Sequence, residues 1–222
     1  MDIHKPKPWH GLREFLKEFG TIVLGVLVAL GAEQAVEWSH HQSEVREARA
    51  ALRTEVADDM MRALRNQRRE GCDQLYSQRF VAWAEGGPIP PIPSNPYLFL
   101  SSANWDTVKS GPVAFMPLKE KLAFAHFYAG VADYNDMAVR ERSAALRLSE
   151  HFNLKRMDPD DAKSVLQAVS GLVTTESVLI GSASGVQQAG AAAGVNAAPI
   201  PPEVTARLDA FCHQAGPAPR GG

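Results

Sequence analysis

The chain has 222 residues, 45% of them hydrophobic and 22% charged, with a formal net charge of −2. That length exceeds a common domain of ~100–150 residues, so one domain with an appendage is expected. The composition excludes a collagen-like, coiled-coil-only or fully disordered chain. Near-neutral charge argues against a nucleic-acid partner, and two cysteines are too few for a disulfide-built scaffold or for a structural zinc site without histidine help.

The first element is an uncharged run, Phe19-Gly-Thr-Ile-Val-Leu-Gly-Val-Leu-Val-Ala-Leu-Gly-Ala32, between Glu18 and Glu33. As a helix it reaches roughly 21 Å, short of the roughly 30 Å hydrocarbon core. Phe15 and Leu16 before it, and Gln34, Ala35 and Val36 after it, extend the span while Lys17 snorkels outward. Trp9 and Trp38 flank it as interface aromatics. Three readings compete: a single-pass anchor over 19–36, a signal peptide cleaved near Ala29-Leu-Gly31, and a buried core helix. No breaker follows Gly31, the pattern runs on as an amphipathic helix, and Glu14 and Glu18 are foreign to a basic leader. The anchor is favoured.

Lys5, Lys7, Arg13 and Lys17 precede the span, whereas only Arg46 and Arg49 follow it closely. This asymmetry places residues 1–18 in the cytoplasm as a short tail and the rest on the far side. Thr21, Gly25 and Ala29 form a small-residue stripe suited to docking a membrane-protein partner or a second copy in the bilayer.

Residues 37–70 read as a stalk helix, with Trp38, Val45, Ala48, Leu52, Val56, Met60 and Ala63 at spacings of mostly three and four. Gly71 is expected to interrupt it, before Cys72, Leu75, Tyr76, Phe80 and Trp83 restart a helical stripe. Gly86-Gly-Pro-Ile-Pro-Pro-Ile-Pro93 reads as an extended, polyproline-like surface connector. Ser101-Ser102 are expected to cap a short helix around Trp105 that Gly111-Pro112 ends. A long helix is expected from Pro117 to about Asn153. Asp158-Pro159-Asp160-Asp161 signals another helix start, running to around Gly190. Its Gly/Ala/Ser-rich end, Gly181 to Gly194, is expected either to fray or to pack very closely. A last short helix opens at Pro202, and the tail 216–222 reads as disordered. With no alternating strand in view, the expected fold class is all-α: a transmembrane helix continuing into a stalk, then a small helical bundle within an extracytoplasmic domain, 71–215.

Cys72 and Cys212 each fall at a core position of their own helix. In an oxidising compartment they would pair; the alternative is two separate buried thiols. Glu37-x-x-His40-His41-x-x-Glu44 has metal-ligand spacing on one helix, but no second such pattern exists, and a solvated face is the better reading. Gly181-Ser-Ala-Ser-Gly185 has Ala183 where a nucleophile elbow needs serine. Phosphate loops, CxxC and HExxH are absent. No catalytic residue, metal ligand or cofactor is assigned, and an enzyme is not expected.

The segment Trp9-His-Gly-Leu-Arg-Glu-Phe-Leu-Lys-Glu-Phe-Gly-Thr-Ile-Val-Leu-Gly-Val-Leu-Val-Ala-Leu-Gly-Ala-Glu-Gln34, followed by Trp38, resembles a group of uncharacterised bacterial single-pass membrane proteins. In that group a short E-x-x-x-I-V-L-G-V-L-I-A-L anchor runs into a charged helix. Ser101-Ser-Ala-Asn-Trp-Asp106 and Ala123-Phe-Ala-His-Phe-Tyr128 are similar to their soluble part. The resemblance implies a membrane anchor with an extracytoplasmic helical domain, and carries no activity with it. The functional expectation is a periplasmic binding, scaffolding or accessory module held in the inner membrane. A ligand-sensing bundle that signals through a membrane partner is the alternative. It would differ by a cavity lined by Trp105, Phe124, Tyr128 and Tyr134 in place of a filled core.

Overall fold

The computed structural model describes residues 11–90, 98–153 and 157–215. Lys5, Lys7, Trp9, Pro91 to Pro93 and the tail from 216 lie outside the described residues. The described residues form six α-helices and no strand: α1 (Leu12–Arg68), α2 (Glu70–Ala84), α3 (Ala103–Val108), α4 (Leu118–Ser149), α5 (Pro159–Ala192) and α6 (Pro202–Ala215). Short 3-10 turns cover Pro112–Phe115 and Glu150–Asn153. The protein is all-α. The chain divides into two compact units, Met1–Glu47 and Ala48–Gly222.

In the first unit, α1 carries a stretch with a mean hydropathy of 1.8 over 18 residues, none of it buried. Thr21, Gly25 and Ala29 are exposed on it, as is Trp38. The Thr21 hydroxyl donates to the Lys17 carbonyl at 2.9 Å, so it is satisfied within its own helix. α5 is also long and apolar enough to cross a membrane. Its stripe of Val165, Val169, Leu172, Leu179, Ala183 and Val186 is buried, and this core role accounts for its composition.

In the second unit, the part of α1 expected as a stalk is a central helix of the bundle. Ala48, Leu52, Val56, Met60 and Ala63 are almost wholly buried. An apolar stripe that long needs a partner to keep it from water, and α4 and α5 provide it. Arg49 grips Glu120 at the start of α4 with two hydrogen bonds, of 2.6 and 2.9 Å. Gln67 on α1 donates to Ser184 of α5 at 2.6 Å. The break between α1 and α2 falls at Arg69, two residues before the expected Gly71, where the guanidinium turns inward to Asp73 at 2.8 Å and lies over the Phe211 ring at 4.9 Å.

Helix ends follow the local chemistry. Asp158 accepts from the backbone N–H groups of Asp160 and Asp161 at 2.9 and 2.8 Å, and the Asp161 carboxylate accepts from the Asp158 N–H, closing a capping box behind Pro159. Gly86 and Gly194 take positive φ (95° and 73°) after α2 and α5, each closing a Schellman-type end. The Gly/Ala/Ser-rich end of α5 packs closely. A Cβ on Gly190 would collide with the Met60 side chain, so only glycine lets the two helices approach this far.

Cys72 and Cys212 form a disulfide joining α2 to α6, with Cα atoms 4.9 Å apart and 140 residues between them in sequence. Around it Tyr76, Phe80, Trp83, Leu148, Val169 and Phe211 make one apolar cluster.

Candidate functional site

The aromatic residues that would line a cavity under the ligand-sensing alternative are packed against their neighbours instead. Phe124 and Tyr134 are fully buried, and Trp105 stacks on Tyr128 with ring centroids 5.0 Å apart. Their polar atoms are committed to holding the segment after the proline-rich connector. Tyr134 and Asn66 hydrogen-bond each other. Asn135 exchanges two 2.9 Å bonds with the Leu100 backbone. Glu55 of α1 accepts from the Tyr128 and Ser101 hydroxyls at 2.7 Å each, and from the backbone N–H of Asn104 and Trp105 at 3.1 and 3.4 Å. It therefore caps α3 from another helix. Of the two serines expected to cap α3, Ser101 accepts from the Ala103 N–H at 3.3 Å, whereas Ser102 makes no side-chain bond to the helix N–H groups and donates to Asp106 at 2.7 Å. Glu55→Ala leaves a buried phenol and two N–H groups unpaired, and is expected to destabilise the bundle by roughly 2–4 kcal/mol. A lowered urea midpoint with weakened near-UV signal from Trp105 is the readout; an unchanged midpoint would refute the capping role.

The cavity lies elsewhere. About 390 Å³ opens between α2, α4 and α5 beside the disulfide-bonded core, within the ~300–1,000 Å³ of small-molecule sites. Its lining includes the apolar Phe80, Ala145, Leu148, Phe152 and Leu172 and the polar Arg69, Asp73, Tyr76, Ser77, Glu141 and Glu176. Glu141 and Glu176 are only 8% and 7% exposed, yet neither makes a hydrogen bond or salt bridge among the described residues. Burial pushes the Glu176 carboxyl up to about 8, with the Asp73 and Glu141 charges adding to the effect. Burial likewise pushes Glu141 up to about 7, Asp73 adding while Arg69 and Arg142 oppose. The Tyr76 hydroxyl, raised chiefly by burial, and the Ser77 hydroxyl are buried with no hydrogen-bond partner among the described residues.

The other sequence candidates stand apart from this cavity. His40 and His41 pair with Glu44 at 3.1 and 3.4 Å on α1, with the His40 side chain 71% exposed. No cluster of three or more histidine, cysteine or acidic residues able to hold a metal ion occurs among the described residues. Cys72 and Cys212 form the rear of the core that carries Tyr76 and Phe80. Sequence reasoning did not single out Glu141 and Glu176. The available signal was their position: each occupies a core place in a helical stripe, between Ala138 and Ala144 on α4 and between Leu172 and Leu179 on α5.

Comparison with protein families, with curated proteins and with solved structures finds no match.

Proposed function

We propose that the chain is a single-pass inner-membrane protein whose helical domain lies in the periplasm and binds a small ligand there. The observation that carries the binding role is the 390 Å³ cavity, lined by the buried, unpartnered Tyr76 and Ser77 hydroxyls, by the Glu141 and Glu176 carboxyls and by aromatic and aliphatic side chains. A filled bundle serving only as a scaffold has no use for such groups, because each costs about 1–3 kcal/mol when left unpaired. The exposed apolar stretch of α1 supports an anchor, and the Cys72–Cys212 bridge suits an oxidising compartment. The exposed stripe of Thr21, Gly25 and Ala29 is where a membrane partner or a second copy would dock to receive the signal.

A C-terminal alkaline phosphatase fusion tests the topology: the reading requires an active fusion that stays in carbonate-washed membranes. An inactive fusion places the domain in the cytoplasm and overturns the reading.

A further inference from the structure

We propose that the cavity between α2, α4 and α5 selects an organic cation with an apolar body, such as an aryl-alkyl amine or guanidine, held between Glu141 and Glu176. The inference rests on the binding role proposed above and names the ligand class. Four observations lead to it.

The first is charge. Three carboxyl groups, Asp73, Glu141 and Glu176, face the cavity with Arg69 as the buried cation among them. Asp73 and Arg69 already form a salt bridge at 2.8 Å. When ionised, Glu141 and Glu176 therefore outnumber the remaining cations, Arg69 and the exposed Arg142 opposing them only in part. A ligand bearing one positive charge offsets the surplus, whereas an anion adds to it.

The second is hydrogen bonding. Ionised carboxylates only accept, and a hydroxyl can also accept. Near pH 8, where they ionise, Glu141 and Glu176 together with Ser77 and Tyr76 offer an acceptor-rich lining beside Arg69. An ammonium or guanidinium group supplies three or five donors and no acceptor, which is the complement of those carboxylates.

The third is the apolar part of the lining. It includes Phe80, Phe152, Leu148 and Leu172, and Phe80 and Phe152 sit with ring centroids 5.8 Å apart. A bare ion would leave this surface unused, while an aryl or alkyl body covers it, and aromatic faces favour a nearby cation.

The fourth excludes the simplest competitor. The three carboxyl groups do not converge as a metal-ligand cluster.

The test uses the full chain in detergent micelles and three probes sharing one aryl-alkyl body: phenethylguanidinium, 2-phenylethanol and 3-phenylpropionate. The guanidinium keeps its charge throughout the pH range, so only the protein titrates. Trp83, stacked on Phe152 at 5.6 Å, reports occupancy by fluorescence, and thermal shift provides a second readout. At about pH 8 the cation is expected to bind at least about tenfold tighter than the alcohol, with the carboxylate weakest. Glu176→Gln and Glu141→Gln are each expected to weaken the cation about fivefold or more while changing alcohol binding by less than about twofold. The same variants control for probe partitioning into micelles. Equal or tighter binding of the alcohol or carboxylate, or Gln variants with undiminished cation affinity, overturns the ligand class and leaves the binding role standing. Absence of binding by all three probes overturns both.

Discussion

Replacing Cys72 and Cys212 with alanine is expected to lower the stability of the bundle by about 2–5 kcal/mol, a large share of the ~5–15 kcal/mol that holds a domain together. The bridge spans 140 residues, so its absence frees nearly the whole second unit in the unfolded chain. For loops of that length the chain-entropy treatment gives about 5 kcal/mol, the upper end of the range. The native-state effect should centre on α6. That helix contributes Leu208 and Phe211 to the core, and the disulfide is its covalent tie to α2. Phe211 stacks on Tyr76 at 5.0 Å and supports the Arg69 guanidinium, so a loosened α6 removes the backing of these polar lining residues. Hydrogen exchange in the alanine double variant should therefore speed up in α6 and around Arg69 to Tyr76 before it does in α4. Alkylation of the parent protein, denatured without reductant directly from membranes, should label neither thiol. Labelling of both would refute the bridge and with it the expected loss.

The helices were legible because their signals are local. Asp158-Pro159-Asp160-Asp161 carries a capping box in four consecutive residues, and the stripe from Ala48 to Ala63 has the spacing of a buried face. What that stripe packs against is not local. The same pattern serves a stalk awaiting a partner and a helix already surrounded, so the stripe alone does not tell the two apart. The capping of α3 shows the same limit at smaller scale. Ser101 takes the Ala103 N–H, as a serine beside a short helix can, but the next two N–H groups go to Glu55, 49 residues before Asn104. The aromatic cluster named for the ligand-sensing alternative encloses no cavity for a related reason. Trp105, Phe124, Tyr128 and Tyr134 are large and clustered in sequence, and size favours filling space rather than enclosing it. The informative residues were small departures from pattern: glutamates at 141 and 176 in stripes otherwise made of Val, Leu, Ala and Tyr. A charged group in a core place on two helices marks either a structural network or a site. Only the three-dimensional arrangement, which leaves both without a bond, distinguishes the two.

Glu176→Gln is expected to stabilise the bundle at high pH and leave it nearly unchanged at low pH. Glu176 titrates near 4.5 in an open chain and near 8 in the folded one, and Glu141 near 4.5 and near 7. Between those values the folded state holds protons that the unfolded state has released, so stability falls as pH rises. Below about pH 4.5 both states are protonated and the full contribution is present; above about pH 8 it has been lost. At 1.36 kcal/mol per unit of displacement, Glu176 alone weakens the folded state by a few kcal/mol across the window. Asp59, pushed up to about 7 by burial, adds a loss of the same sign. The carboxyls of Glu120 and Asp106, held low by Arg49 and Lys109, act below this window and cancel when parent and variant are compared. Urea midpoints of the two proteins should therefore coincide near pH 4.5 and separate steadily to about pH 8, the variant being the more stable. Removing the Glu176 charge also eases Glu141, so Glu141→Gln in the same chain should add less than it does alone. A separation independent of pH would mean that Glu176 is neutralised by a fixed counter-charge. The measured gap is also the free energy that an occupying cation could recover. Ligand stabilisation should for that reason grow with pH in the parent and stay nearly flat in the double Gln variant.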